Sequence, residues 1–287
     1  MNFKDKYKVR AQKEKFYRVY NKFGKYIKDI DVSDAKLLSP YAAGGVVSVA
    51  IGTVKLDNAN VKNIEIATAN GGANVGGVIG IFGNSSYNTA NKVKNISVDN
   101  IKIETTESGN VNAGGVIGSG ALTLTNATVK NIDITNKTQN GMTGGIIAIA
   151  NSNHVLKDTE LENVELEGKS HTAGAVGIGY GAGRVENIDI KNVDIIVASD
   201  SSNTTSPMVG SAISYQNNGN IKNVNVNKSN ITYAQNGYYC TIGGLIGNSY
   251  AKVDDCQITD FTVNVGENEL DNNMIGGIAG ISNGSIK

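Results

Sequence analysis

The stretch Val185-Glu-Asn-Ile188-Asp-Ile190-Lys-Asn-Val193-Asp-Ile195 places its apolar residues at steps of 3, 2, 3 and 2. Steps of two describe a strand whose alternate side chains face one side. A step of three means that the chain bends between two apolar positions and recovers its inward face one residue late. Asn187 and Asn192 stand at those bends, where a short polar side chain tolerates left-handed backbone angles and hydrogen-bonds locally. The same rhythm runs through Val93, Ile96, Val98, Ile101 and Ile103, and through Val253, Cys256, Ile258, Phe261 and Val263. A helix would instead want apolar residues three, four, seven and eight apart.

Working outward, this stretch opens with one copy of a phrase that recurs along the chain. It reads Ile27-Lys-Asp-Ile30, Val61-Lys-Asn-Ile64, Val93-Lys-Asn-Ile96, Val129-Lys-Asn-Ile132, Leu161-Glu-Asn-Val164, Val185-Glu-Asn-Ile188, Ile221-Lys-Asn-Val224 and Val253-Asp-Asp-Cys256. By subtraction the spacings are 34, 32, 36, 32, 24, 36 and 32 residues, with Ile286 opening a further copy 33 residues on. A second phrase alternates with the first and is built on the glycine pairs Gly44-Gly45, Gly76-Gly77, Gly114-Gly115, Gly144-Gly145, Gly243-Gly244 and Gly276-Gly277. Gly174-Ala-Val-Gly177 and Val209-Gly-Ser-Ala-Ile213 fill the two remaining places. These glycines are read as structural, because a missing side chain lets a neighbouring backbone approach closely.

A unit of about 33 residues made of short strands and tight bends cannot bury its apolar face alone, whereas stacking buries it in continuous columns. The expected fold is therefore all-β: a parallel β-helix, or β-solenoid, of about eight coils, right-handed by the usual crossover rule. Eight coils at the inter-strand spacing of about 4.8 Å make a rod about 40 Å long. A leucine-rich repeat shares the Leu/Ile rhythm, but its period is about 20 to 29 residues and its second half needs a helix that Gly-Gly-Val-Ile-Gly does not favour.

Composition narrows the class further. The 287 residues include 26 basic and 26 acidic groups, 35 glycines, two prolines and two cysteines. Two cysteines cannot staple a chain of this length, and paired glycines with almost no proline exclude collagen. Apolar runs are broken well before the roughly 18 residues of a membrane helix. No signal peptide opens the chain, and nothing in the repeat calls for nucleic acid. Residues 1–28 carry ten basic and two acidic groups, and Phe16, Tyr20, Phe23 and Ile27 recur at helical spacing. Residues 1–26 are accordingly read as a basic amphipathic helix or cap over the first coil, and residues 27–287 as the solenoid. Because Ser285-Ile-Lys287 begins a unit, the solenoid is expected to continue beyond the C-terminus.

Candidate chemistry is sparse. Asn63, Asn95, Asn131, Asn163, Asn187 and Asn223, with Asp29 and Asp255 at the ends, form the most regular polar feature; it is read as an internal amide ladder bonding coil to coil. Asp254-Asp255 is the best candidate for a glycosidase-type acid pair, yet Asp255 falls in the Asn column and Asp254 replaces an exposed Lys or Glu. His154 and His171 lie outside both phrases and read as solvated loop residues. Neither His-x-x-x-His nor Cys-x-x-Cys occurs, so no metal or other cofactor is expected. Cys256 reads as a small buried hydrophobe, and a bond to Cys240 is left open. Thr123-Leu-Thr125 stands alone, unlike the Thr rows of ice-binding solenoids.

Gly243-Gly-Leu-Ile-Gly247-Asn followed by Val253-Asp-Asp-Cys256 resembles the GLUG-motif repeat family, and the resemblance covers about residues 24–287. Similar repeats occur in bacterial surface and adhesin-type proteins and in N-terminal regions of zinc-dependent immunoglobulin A peptidases. The resemblance implies a non-enzymatic structural or adhesive rod at the cell surface or outside the cell, with a host or cell-surface glycan or protein as partner. Two alternatives are a carbohydrate-active β-helix, such as a lyase or glycosidase of a phage tail fibre, and the spacer of a larger peptidase. The chain contains no His-Glu-x-x-His motif.

Overall fold

The computed structural model describes residues 25–39, 41–68, 73–83, 91–106, 109–198, 206–234, 240–265 and 273–287. The basic segment expected at residues 1–26 falls almost wholly outside them, and the first strand already begins at Lys25. Every regular element among the described residues is a strand, and all their pairings are parallel. The solenoid has eight levels, seven turns from first to last, each level pairing with the next.

One level consists of a long strand with two internal bends, a strand of two or three residues ending at the glycine pair, and a short strand that leads to the next level. In the fourth level these are Thr123–Asn136, Thr143–Gly144 and Ile147–Ala150. In the fifth and sixth levels the short strand runs straight on into the following long strand, as Val176–Val197 and Ile213–Tyr233. The in-register stacking turns the apolar rhythm into columns. Val61, Val98, Val129, Leu161, Ile190 and Val226 form one, and Ile64, Ile101, Ile132, Val164 and Val193 another; all are buried. Each such side chain contributes about 1.5 to 3 kcal/mol when taken out of water, so these columns, and not the polar ladders outside them, dominate stability.

The bends are left-handed, as their residue types require. Asp29, Asn58, Asn95, Asn126, Asp158, Asn187, Asn223 and Asp255 occupy the first bend, and Asp34, Asn63, Asn100, Asn131, Asn163, Asn192, Lys228 and Asp260 the second, with φ between 51° and 61°. The expected single Asn column is thus two columns. Asn95, Asn187, Asn223 and Asp255 belong to the first, Asn63, Asn131 and Asn163 to the second. The Val-Lys-Asn-Ile phrase falls on either bend, five residues apart, and the odd spacing of 24 is a switch from the second bend of one level to the first bend of the next.

The expectation of an internal ladder is also corrected, because these side chains are exposed. A left-handed residue interrupts the strand alternation, so that it and the residue before it both face outward between two inward positions, as Lys62 and Asn63 do between Val61 and Ile64. The amide nitrogen of each asparagine rung donates to an oxygen one level toward the N-terminus, as Asn58 to Asp29 at 2.6 Å, Asn126 to Asn95 at 2.7 Å, Asn187 to Asp158 at 2.7 Å and Asn223 to Asn187 at 3.0 Å. In the second column Asn63 donates to Asp34, Asn100 to Asn63, Asn163 to Asn131 and Asn192 to Asn163, at 2.7 to 3.0 Å. Aspartate, which only accepts, opens both columns.

Since the bend needs a left-handed residue more than it needs a ladder bond, the two contributions can be separated. Asn163→Ala is expected to cost about 1 to 2 kcal/mol, mostly from the left-handed backbone, and Asn163→Gly a few tenths. Thermal unfolding midpoints check this; equal losses would mean that the amide bonds, and not the backbone angle, fix the residue.

The glycine pairs form two further columns. Gly44, Gly76, Gly114 and Gly144 stack on Ala173, Gly210, Gly243 and Gly276. Gly174 therefore lies beside the second glycine, one residue out of the alignment that its Gly-Ala-Val-Gly sequence suggests. At the second position a methyl group would meet the carbonyl of the next level: on Gly115 it would strike the Gly145 oxygen and lie 2.9 Å from Ile132 Cγ2. The sixth level carries Ser211 at this position, and its partner on the seventh long strand is Ser229 in place of the usual Val or Ile. Both are buried, and their hydroxyls bond each other at 2.6 Å.

Candidate binding surface

One row on the outer side of the long strands carries charge in alternation. Along it Lys62, Asp99, Lys130, Glu162 and Lys191 are register neighbours, and Lys130 Nζ lies 2.8 Å from Glu162. Lys36 pairs with Glu65, Lys94 with Asp57 at 3.0 Å and Lys102 with Asp133 at 3.5 Å. Like charges facing each other on adjacent strands destabilise a sheet, and alternation avoids this along the Lys62 row, although Glu160 faces Asp189 and Glu165 faces Asp194 elsewhere. Asp57 is the most heavily bonded of these groups: Tyr26 Oη donates to it at 2.6 Å and Asn95 at 2.8 Å. The Tyr26 bond first, then those from Lys94 and Asn95, pull its pKa down to about 2. These groups are spent on one another and hold level to level.

A different surface occurs where the short strand turns into the next long strand. Ala150, Gly179, Gln216, Ser249 and Ser282 are register neighbours. The residues that follow them therefore form a corner column: Asn151, Tyr180, Asn217, Tyr250 and Asn283 on five successive levels. Tyr180 and Tyr250 are 44% and 47% exposed. A register shift between Gly179 and Ala182 inserts one residue beside Tyr180, with Gly181 at φ 72°; such bulges re-aim side chains. Tyr215 packs edge-on against Tyr250, with ring centres 6.2 Å apart, and its hydroxyl donates to Asn217 Oδ1 at 3.2 Å. Burial raises the Tyr215 phenol above its usual pKa, so it remains a neutral donor. The backbone here is already paired: Tyr250 N–H donates to Gln216 O and Asn283 N–H to Ser249 O.

Beneath this corner lies a polar core. Gly179 and Gly183 leave space in the fifth level, and His154 from the fourth and Gln216 from the sixth fill it. The expectation of solvated histidines is overturned. His154 is fully buried, and its Nδ1 lies 3.2 Å from the Ser152 carbonyl oxygen. His171 is half-buried and accepts the Met208 N–H at 3.4 Å. Burial lowers both pKa values to about 4.

The remaining candidates are not brought together. Asp254 is held by Lys252 Nζ at 2.8 Å, whose hydrogen bond lowers its pKa, while Asp255 sits exposed in the first bend column, 3.9 Å from Lys222. Both cysteines are free: Cys240 is buried, and burial raises its thiol pKa, whereas Cys256 is half-buried and its thiol donates to the Asp254 carbonyl at 3.2 Å. Among the described residues no group of three or more His, Cys, Asp or Glu is placed to hold a metal ion, and no helix is long and apolar enough to cross a membrane. Sequence reading missed the tyrosine corner because its members sit in the irregular spacer between the two phrases; the shared offset of one residue past the short strand becomes visible only with register. Comparison with family models, with curated proteins and with solved structures finds no match for this chain.

Proposed function

We propose that this chain is a non-enzymatic adhesive rod of the GLUG-like repeat type, displayed at a bacterial cell surface and making contact through its lateral corners. One observation carries the reading. Several charges on the long face are paired between levels, whereas the corner column carries no charge and offers aromatic rings and amides to solvent. Exposed aromatic groups interleaved with hydrogen-bonding side chains are what a recognition surface uses. The stack supplies rigidity, because every level is fixed by its neighbours and the anchors keep their spacing.

The test separates holding from cutting. The full chain is immobilised and exposed to a panel of cell-surface polysaccharides and glycoproteins, with retention followed by surface plasmon resonance and bond cleavage by reducing-end and unsaturated-uronate assays. Retention without product supports the rod. Product release from any glycan would replace it with the carbohydrate-active alternative.

A further inference from the structure

Building on the adhesive reading, we propose that the Asn151–Tyr180–Asn217–Tyr250–Asn283 corner binds one extended, uncharged, β-linked oligosaccharide laid along the rod axis. Three observations converge on that class. First, Tyr180 and Tyr250 stand two levels apart, which is about 10 Å at the inter-strand spacing. The repeat of an extended β-linked disaccharide has this same length, so both rings can lie under sugars that present the same face. Second, the levels between and beyond the rings carry Asn151, Asn217 and Asn283, side chains that both donate and accept, as hydroxyl groups require. Asn217 is oriented by the Tyr215 hydroxyl on its oxygen, so its amide nitrogen is the group left to donate. Third, the column contains no acid or base, and Lys252 beside it is already held by Asp254.

The alternatives fit less well. A peptide adding as a strand needs open backbone groups, and the corner backbone is bonded to the neighbouring level. A polyanion needs a row of cations, which the column lacks. One ring is also held before any ligand arrives, Tyr250 by the edge of Tyr215. Preorganised anchors lower the cost of binding.

Isothermal titration of the full chain with cellohexaose, chitohexaose and mannohexaose tests the site. At least one hexasaccharide is expected to bind, and its disaccharide to bind more weakly because it spans a single ring. Tyr180→Ala and Tyr250→Ala should each weaken binding about tenfold, as for loss of one stacked ring, while the Phe variants retain it. The double change Asn217→Tyr with Tyr250→Asn moves the rings to adjacent levels and should weaken binding like a single Ala variant. Unchanged circular dichroism and melting midpoints show that each variant is folded. Failure of all three neutral hexasaccharides to bind, binding of acidic chains only, or binding indifferent to both Ala variants would overturn the site. If the Tyr180→Ala and Tyr250→Ala proteins are still retained on a glycoprotein surface like the parent, the site falls and the adhesive reading stands; product release removes the adhesive reading itself.

Discussion

Gly115→Ala is expected to lower stability by about 3 kcal/mol or more, the upper range for overpacking, whereas Gly277→Ala should change it by less than about 0.5 kcal/mol. The two residues occupy the same column. At Gly115 the added methyl group would meet the backbone carbonyl of Gly145 and the Ile132 side chain, and a backbone oxygen cannot be moved without separating the third level from the fourth. At Gly277, in the last level, nothing lies within 4 Å of the position that a methyl would take. Stability in a stacked array is a sum of level and interface contributions. The Gly115 variant should therefore lose amide protection first across residues 111–150, which hydrogen exchange would show. Equal effects at both positions would mean that the glycines serve the backbone angle of the corner and not the approach of the next level. The Ser211–Ser229 pair supports the steric account: where a side chain does occupy the column, its partner on the next long strand is cut down to serine, so volume is shared and both hydroxyls are satisfied.

Lowering the pH from 6.5 to 4 is expected to remove about 3 kcal/mol of stability through His154 alone. Burial brings its folded-state pKa down to about 4, and in the unfolded chain it titrates near the ordinary value of about 6.5. Between these values the unfolded state binds a proton that the folded state refuses, so stability rises with pH through this window and is flat above it. His171, shifted the same way, adds to the slope. Denaturant midpoints measured from pH 7 to 4 check the curve. His154→Leu should flatten it with little loss at pH 7, because Leu122 occupies the same corner position one level earlier. An acid limb unchanged in that variant would place the proton uptake elsewhere.

The sequence by itself determined the architecture. A 3-2-3 apolar rhythm admits neither helix nor straight strand, and its repetition every 30 or so residues leaves stacking as the only way to bury the Val and Ile faces. It also announced that the Asn positions were bends, since few other residues accept a left-handed backbone without strain. Whether those residues pointed in or out, and that they form two ladders, depended on register between levels, which loops of variable length conceal: first-bend positions recur after anything from 29 to 37 residues. The histidines were misplaced for the same reason. Local sequence shows a polar loop, and only the glycines one level away, at positions 179 and 183, create the room that draws His154 inward. The tyrosine corner was equally hidden, because Tyr180 and Tyr250 are 70 residues apart in the chain and become neighbours of Asn217 through pairings that no single unit encodes. Short-range sterics write bends and strands into each unit, while long-range register decides which side chains share a surface.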